Sequence, residues 1–349
     1  MKRNPLLLLP LLILIVALAC SLPSGIGQAP ASPIAATVAD VTSAAPDTAA
    51  VATSTAAPIH HALTPGEPVE NPGDYDNEAH TTGALKYAAN GDLYNLNRFE
   101  RPFTQKDMTY LPYLDIQRFD MSKDANWYYA SMELFDLSGI SGDPAPVYAI
   151  EIDYDLDGRG DFLIWAKPPL TTDWNTLDVS VYADNNRDVG GPHPNLSDPS
   201  DKAGNGYETT IFDAGHGSDP DLAWVRINPA DPNLIQFAFK KSLVPGNSFE
   251  WAAWADAGIK DPAKFAYNDR MSLAEAGSPL KGDTNYPLKG LFAVDNTCYS
   301  AYGVSQGYLP LICPVPPTPT RKPSKPQPRS PVPGQPTQVP PTATHEIIP

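Results

Sequence analysis

The chain has 349 residues, 42% of them hydrophobic, and a formal net charge of −16. The charges of its two terminal segments cancel, so the whole acidic excess falls in the stretch 75–313. Phosphate binding needs clustered Lys and Arg, so a domain this acidic is a poor nucleic-acid partner and a plausible host for divalent cations.

Residues 1–19 read as an export signal. Lys2 and Arg3 form a short positive region, followed by an apolar run from Leu6 to Ala19 broken only by Pro10. A membrane-spanning helix needs about 20 apolar residues, and this run is shorter. Ala17-Leu18-Ala19 supplies the small-residue pattern of a cleavage site, with Cys20 next. Ala17-Leu18-Ala19-Cys20 also resembles a bacterial lipobox, although Ala17 stands where Leu is usual and Leu18 where a small residue is usual. The resemblance implies a lipid on Cys20, which would tie the chain to the outer face of a membrane. Simple cleavage after Ala19 gives the same N-terminus without a lipid. Either reading places the chain outside the cytoplasm, at a cell surface or in a periplasm.

Three cysteines are an odd number for an exported chain. With Cys20 as the anchor, Cys298 and Cys313 remain as a disulfide pair, which would stabilise the fold by roughly 3 kcal/mol on the chain-entropy model. Two buried thiols are the alternative. No Cys-x-x-Cys is present, which argues against a zinc or thiol-redox site.

Residues 20–74 are rich in Ala, Thr, Ser and Pro, and their first fifty contain no Phe, Trp or Tyr. Such a composition cannot bury enough surface to offset chain entropy and reads as a disordered tether. From 314 to 349 the chain is again proline-biased, as in the run Pro-Pro-Thr-Pro-Thr, and reads as a semi-rigid tail. The folded part is expected at 75–313.

Within it, short runs alternate apolar and polar residues or are dense in aromatic and β-branched ones: 127–135, 147–153, 162–165, 177–182, 207–212, 222–227, 234–239, 249–254 and 290–294. Gly, Pro, Asn and Asp clusters separate them. Regular short strands of this kind predict an all-β fold, an antiparallel β-sandwich of jelly-roll-like type. Short helices are expected only near Ser272–Ala276 and Gly83–Asn90.

The most specific motif lies between two of these strands. Asp153, Asp155, Asp157 and Asp161 fit D-x-D-x-D-G-x-x-D, with Gly158 at the glycine. Calcium takes about six to eight oxygens at about 2.3–2.6 Å, and carboxylates at alternate positions of a tight loop can converge on one point. Asp153 stands at the border of the loop and can instead belong to the strand. The motif resembles the calcium loops of integrin-type propeller repeats and of dockerin and thrombospondin modules, which implies a structural calcium over those nine residues. Ile164 stands where an EF-hand has its closing Glu. The competing reading is a hairpin turn whose acids face water. A second loop repeats the spacing with Asp184, Asn186 and Asp188. There Arg187 opposes a cation, and capping of the loop's own backbone is the alternative.

The motifs of serine hydrolases, zinc proteases and phosphate-binding loops are absent. Glu250 and Asp256, beside Trp251 and Trp254, form the most suggestive carboxylate neighbourhood for glycoside hydrolysis. Three residues apart on a strand, Trp251 and Trp254 point to opposite faces, so one is expected in the core and only the other could meet solvent. His193 and His216 sit in Gly/Pro/Asp-rich loops, where His216 could act as a base or ligand, an ordinary loop histidine being the alternative. Trp127, Trp165, Trp224 and Trp254 are expected mainly in the core. Trp174, in a predicted loop, is the best candidate to stack on a sugar ring.

Ile152-Asp153 leading into the Asp-Gly-x-Gly-Asp loop, with Phe249-Glu250-Trp251-Ala252-Ala253-Trp254-Ala255-Asp256 near the end, resembles bacterial surface lipoproteins carrying a carbohydrate-binding or DOMON-like sandwich. That resemblance implies possible binding of carbohydrate and no reaction. The alternatives are a structural envelope protein and an extracellular hydrolase.

Overall fold

A computed structural model describes residues 59–304, apart from 70, 169 and 191–203. The described residues form an all-β, antiparallel sandwich. In chain order the first seven strands are β1 (Asp74–Tyr75), β2 (Glu100–Arg101), β3 (Ile116–Lys123), β4 (Trp127–Leu134), β5 (Val147–Asp153), β6 (Phe162–Ala166) and β7 (Val179–Ala183). Then follow β8 (Thr209–Asp213), β9 (His216–Gly217), β10 (Ala223–Ile227), β11 (Leu234–Lys240), β12 (Phe249–Asp256), β13 (Val294–Asn296) and β14 (Ser300–Tyr302).

One sheet has the order β1-β3-β4-β11-β10. The other runs β2-β13-β12-β5-β6-β7-β8-β9, with β14 also paired to β12. Their facing sides make the main core. Phe119, Tyr128, Met132 and Phe237 of the first sheet meet Ile150, Ile152, Ile164 and Trp251 of the second. Burying side chains of this size contributes about 1.5–3 kcal/mol each before chain entropy is charged against it.

Each sheet is also covered on its outer face. On the second sheet, Ala149, Leu163, Trp165 and Trp254 pack under Phe99, Phe265, Tyr267 and Leu291. Trp251 and Trp254 therefore do point to opposite faces, but both are buried, because the outer face carries a layer of loops. On the first sheet, Trp127, Tyr129 and Trp224 lie beneath Leu63 and Trp174.

The short helix at Leu273–Ala276 begins with a capping box, in which Ser272 Oγ accepts from Glu275 N and the Glu275 carboxylate accepts from Ser272 N. A single helical turn at His80–Gly83 lies just before the stretch where one was expected. β3 is a full core strand that the sequence reading passed over. Its pairing with β4 shifts register between Ile116 and Arg118, which breaks the alternation that marks a strand.

The segment 59–69 belongs to the stretch that composition assigns to the tether, yet part of it is docked on the first sheet. His61 Nδ1 lies 2.8 Å from the buried Asp221 carboxylate, which also accepts from Ala62 N and Leu63 N. Gly66 N donates to Tyr129 Oη at 3.0 Å. Glu67 takes a two-pronged ion pair from Arg226 at 3.0 and 2.6 Å. The contacts are mostly backbone and charged groups, which a search for aromatic or apolar runs does not register. Among the described residues, no helix is long and apolar enough to cross a membrane.

Candidate metal centres

β5 delivers Asp153 to the start of the acidic loop, and β6 picks up the chain just after Asp161. Between them Leu156 and Gly158 adopt positive φ, +65° and +84°, and the chain reverses tightly. Asp153 holds that turn: its Oδ1 accepts from Leu156 N at 2.6 Å and its Oδ2 from Gly158 N at 2.7 Å. Asp161 accepts from Tyr154 N at 2.8 Å. Asp153, Asp155 and Asp161 each place a carboxylate oxygen within 4.8 Å of the others, so the cluster could hold a metal ion. Asp157 is outside this trio, and its Oδ1 accepts from Arg159 N. Asp153 joins the group despite being part of a strand, because a strand end aims its last side chain along the turn.

Packing three carboxylates together has an electrostatic cost. Burial, and then the neighbouring acids, push the Asp153 carboxyl up to about 7 and the Asp161 carboxyl up to about 6, against the hydrogen bonds that favour their ionised forms. Glu250 pairs with Asp153 across β12 and β5, is fully buried, and has no hydrogen-bond partner on either oxygen among the described residues. Burial and Asp153 push it up to about 8.

The second acidic loop lies beside the first. Asp184 N donates to Asp161 O at 3.0 Å, Arg159 reaches Gly190 O at 2.7 Å, and Arg187 pairs with Asp155 at 2.8 Å. Within this loop Asp184 accepts from the backbone N–H groups of Asn186, Arg187 and Val189. Asn186 Nδ2 donates to Asn205 Oδ1, and Asp188 accepts from Asn205 N. The three residues thus hold loop backbone and a neighbouring segment, while Asp188 Oδ1 stays buried without a hydrogen bond from a described residue. Arg187 leaves its own loop to neutralise the first one.

Other sequence candidates are placed as follows. Trp174 Nε1 donates to Gly66 O at 3.1 Å, and its ring lies under the Arg226 guanidinium, 4.4 Å from centroid to Cζ. The chain's own docked segment thus occupies that indole. Glu250 and Asp256 lie on one strand six residues apart, roughly 20 Å at a strand's rise. Hydrolysis needs carboxylates about 5–9.5 Å apart, so this pair does not make such a site. Asp256 accepts from Gly258 N, Ile259 N, Lys260 N and Tyr267 Oη and holds a turn. His216 is exposed on β9. Cys298 is disulfide-bonded. Cys20, Cys313 and His193 lie outside the described residues.

A second acidic group had no linear signature. Asp76, Glu100 and Asp295 also bring carboxylate oxygens within 4.8 Å of one another. They come from the end of β1, from β2 and from β13, and Glu100 and Asp295 are register partners. Asp115 stands beside them, accepting from Ala79 N and from Tyr110 Oη. Burial first, and then mutual repulsion, hold Glu100 and Asp295 well above the usual carboxylate range. Four separate chain segments make this cluster, so no motif search could assemble it.

No protein-family model matches this chain, and no curated protein or solved structure is significantly similar to it.

Proposed function

We propose that this chain is an exported, lipid-anchored cell-surface protein whose β-sandwich is stapled by calcium at the 153–161 loop and recognises an extracellular glycan or another surface partner. The observation that carries the metal reading is the convergence of Asp153, Asp155 and Asp161. An all-oxygen, multiply anionic donor set in a glycine-turned loop suits a hard cation, and flexible loop ligands suit calcium better than magnesium. The exposed Arg187 is the loop's present counter-charge at Asp155, and its long side chain can swing away when a divalent ion arrives.

The export signal and Cys20 support the anchored location. Intact-mass analysis of the mature N-terminal peptide tests it. A diacylglyceryl cysteine at residue 20 is expected, and an unmodified Cys20 would reject the lipid.

For recognition, the engaged Trp174 shifts attention to a cleft of about 330 Å³ lined by Asp92, Leu93, Tyr94, Leu96, Leu273 and Asp283. Its apolar walls with the Asp283 carboxylate suit a sugar ring and its hydroxyls, while Asp92 is held by Arg101. A glycan array probed with the mature chain in calcium and in EDTA is the test. Binding that is lost in Leu96→Asp supports recognition at this cleft. No binding on any panel favours the structural envelope role, which the self-engaged Trp174 also suits.

A further inference from the structure

We infer that the Asp76, Glu100 and Asp295 cluster is a second, interior site for a hard divalent cation, and that the ion clips the edges of the two sheets together. It is separate from the 153–161 loop and shares no ligand with it.

Three observations converge on it. The first is geometric: three carboxylates contributed by both sheets face one another within ligand distance. The second is the missing partners. Asp76 Oδ2, Glu100 Oε1 and Asp295 Oδ1 are buried oxygens without a hydrogen bond from any described residue. Glu100 is 2% exposed and Asp295 is fully buried, so bulk water does not reach them. A buried carboxylate oxygen without a donor costs far more than a surface one, and several together are tolerated only with a compensating cation or with shared protons.

The third observation is the local charge count. Among the described residues, Asp76, Glu100, Asp115 and Asp295 face Arg98, whose charge acts on Asp76, and His80, whose charge acts on Asp115 when the ring is protonated. Arg101 is committed elsewhere, gripping Asp92 through two hydrogen bonds of 2.7 and 3.0 Å. His80 pairs with Glu78 at 2.8 Å. Two of the ligands and their neighbour are held in place: Asp295 Oδ2 accepts from Ile116 N at 2.7 Å, Asp76 accepts from the backbone N–H of Asn77, and the adjacent Asp115 is held by Tyr110 and Ala79. Each of the three ligands keeps one buried oxygen that no described residue bonds. Oxygen-only donors select calcium, magnesium or manganese over zinc or copper.

Position gives the ion its role. Asp76 N donates to Gln117 O, so Asp76 rides on β3 of the first sheet. Glu100 and Asp295 sit at the outer strands of the second sheet. An ion bound by all three spans the open side of the sandwich.

The test is ion stoichiometry on the mature chain, stripped with EDTA and dialysed against calcium or magnesium. Wild type is compared with Glu100→Gln and with the loop variant Asp155→Asn. Two ions in wild type, one lost in each variant, is the expected result. One ion that is lost in Glu100→Gln and kept in Asp155→Asn supports this site and removes the loop reading. One ion lost only in Asp155→Asn, or no ion at all, overturns the inference. Because Glu100→Gln alters a buried cluster on which folding can depend, amide exchange is followed in wild type as well. Calcium or magnesium should slow exchange at Ile116 and Asp76 by about tenfold or more. Unchanged exchange there in both ions would overturn the site, whatever happens at residues 154–161.

Discussion

At Asp153 one carboxylate both caps its loop, through Leu156 N and Gly158 N, and faces Asp155 and Asp161. The two jobs separate by experiment. In EDTA, Asp153→Asn should lose about 1–3 kcal/mol in urea denaturation, because an amide cannot accept both backbone bonds. Asp155→Asn should change stability by no more than about 0.5 kcal/mol under the same conditions, since it removes only a surface ion pair. In calcium both should bind the ion more weakly. Equal losses for the two variants in EDTA would contradict the division of roles. Gly160 is a different kind of residue. A methyl group there would fall 1.8 Å from Tyr207 Oη and 2.6 Å from Glu151 Oε1. Those two atoms share a buried hydrogen bond of 2.6 Å, and Glu151 also accepts from Trp254 Nε1 at 2.8 Å. Gly160→Ala should therefore cost about 2–4 kcal/mol by overpacking and by a lost buried bond. A melt within one degree of wild type would refute that. The motif specifies only Gly158, and Gly160, at one of its open positions, makes room for a tyrosine.

Strand elements such as β4, β5, β11 and β12 were legible because both of their faces are buried, which makes them dense in aromatic and other apolar residues. β3 was not, since a bulge interrupts its period, and β13 was displaced because 290–293 pack as loop over the second sheet. The docked segment was hidden for another reason. Its sequence holds little apolar surface, and its binding energy resides in Asp221, Tyr129 and Arg226, more than 60 residues away in each case. Arg226→Ala should free this segment and cost about 2–3 kcal/mol, because Gln236 and Glu67 lose their partner. Limited proteolysis would show faster cleavage between residues 59 and 69. Unaltered cleavage would mean that the ion pair does not hold the segment. Acid should act in the same direction. Hydrogen bonds from His61, Leu63 and Ala62 keep Asp221 below the usual carboxylate range despite its burial, and Arg226 does so for Glu67. A carboxylate with a depressed value stabilises the fold above its unfolded pKa and loses that effect as pH falls through its folded value. Undocking is thus expected below about pH 4.

For the molecule as a whole, the acidic clusters set the opposite sign. Asp153 and Asp161 are held at about 7 and about 6. A carboxyl raised in the folded state binds its proton more tightly there, so the metal-free fold loses stability as pH climbs from about 4 toward 7. A bound divalent cation removes that penalty, because it favours the ionised carboxylates. Denaturation across this range in EDTA should slope downward with pH, and in calcium the slope should vanish or reverse. Identical slopes in the two buffers would leave no role for an ion. The 153–161 loop was readable because its ligands are consecutive in sequence. The interior cluster was not, because its residues meet only after both sheets form. The most direct measurement is the thermal melt of the mature chain in EDTA and in calcium, for wild type and for Asp155→Asn/Asp161→Asn. Calcium at about 100 times its dissociation constant adds about 2.7 kcal/mol, which raises the wild-type Tm by about 5–10 °C. The double variant should show a smaller rise. A wild-type Tm that is the same in both buffers, or an equal rise in the double variant, would contradict calcium stapling at this loop.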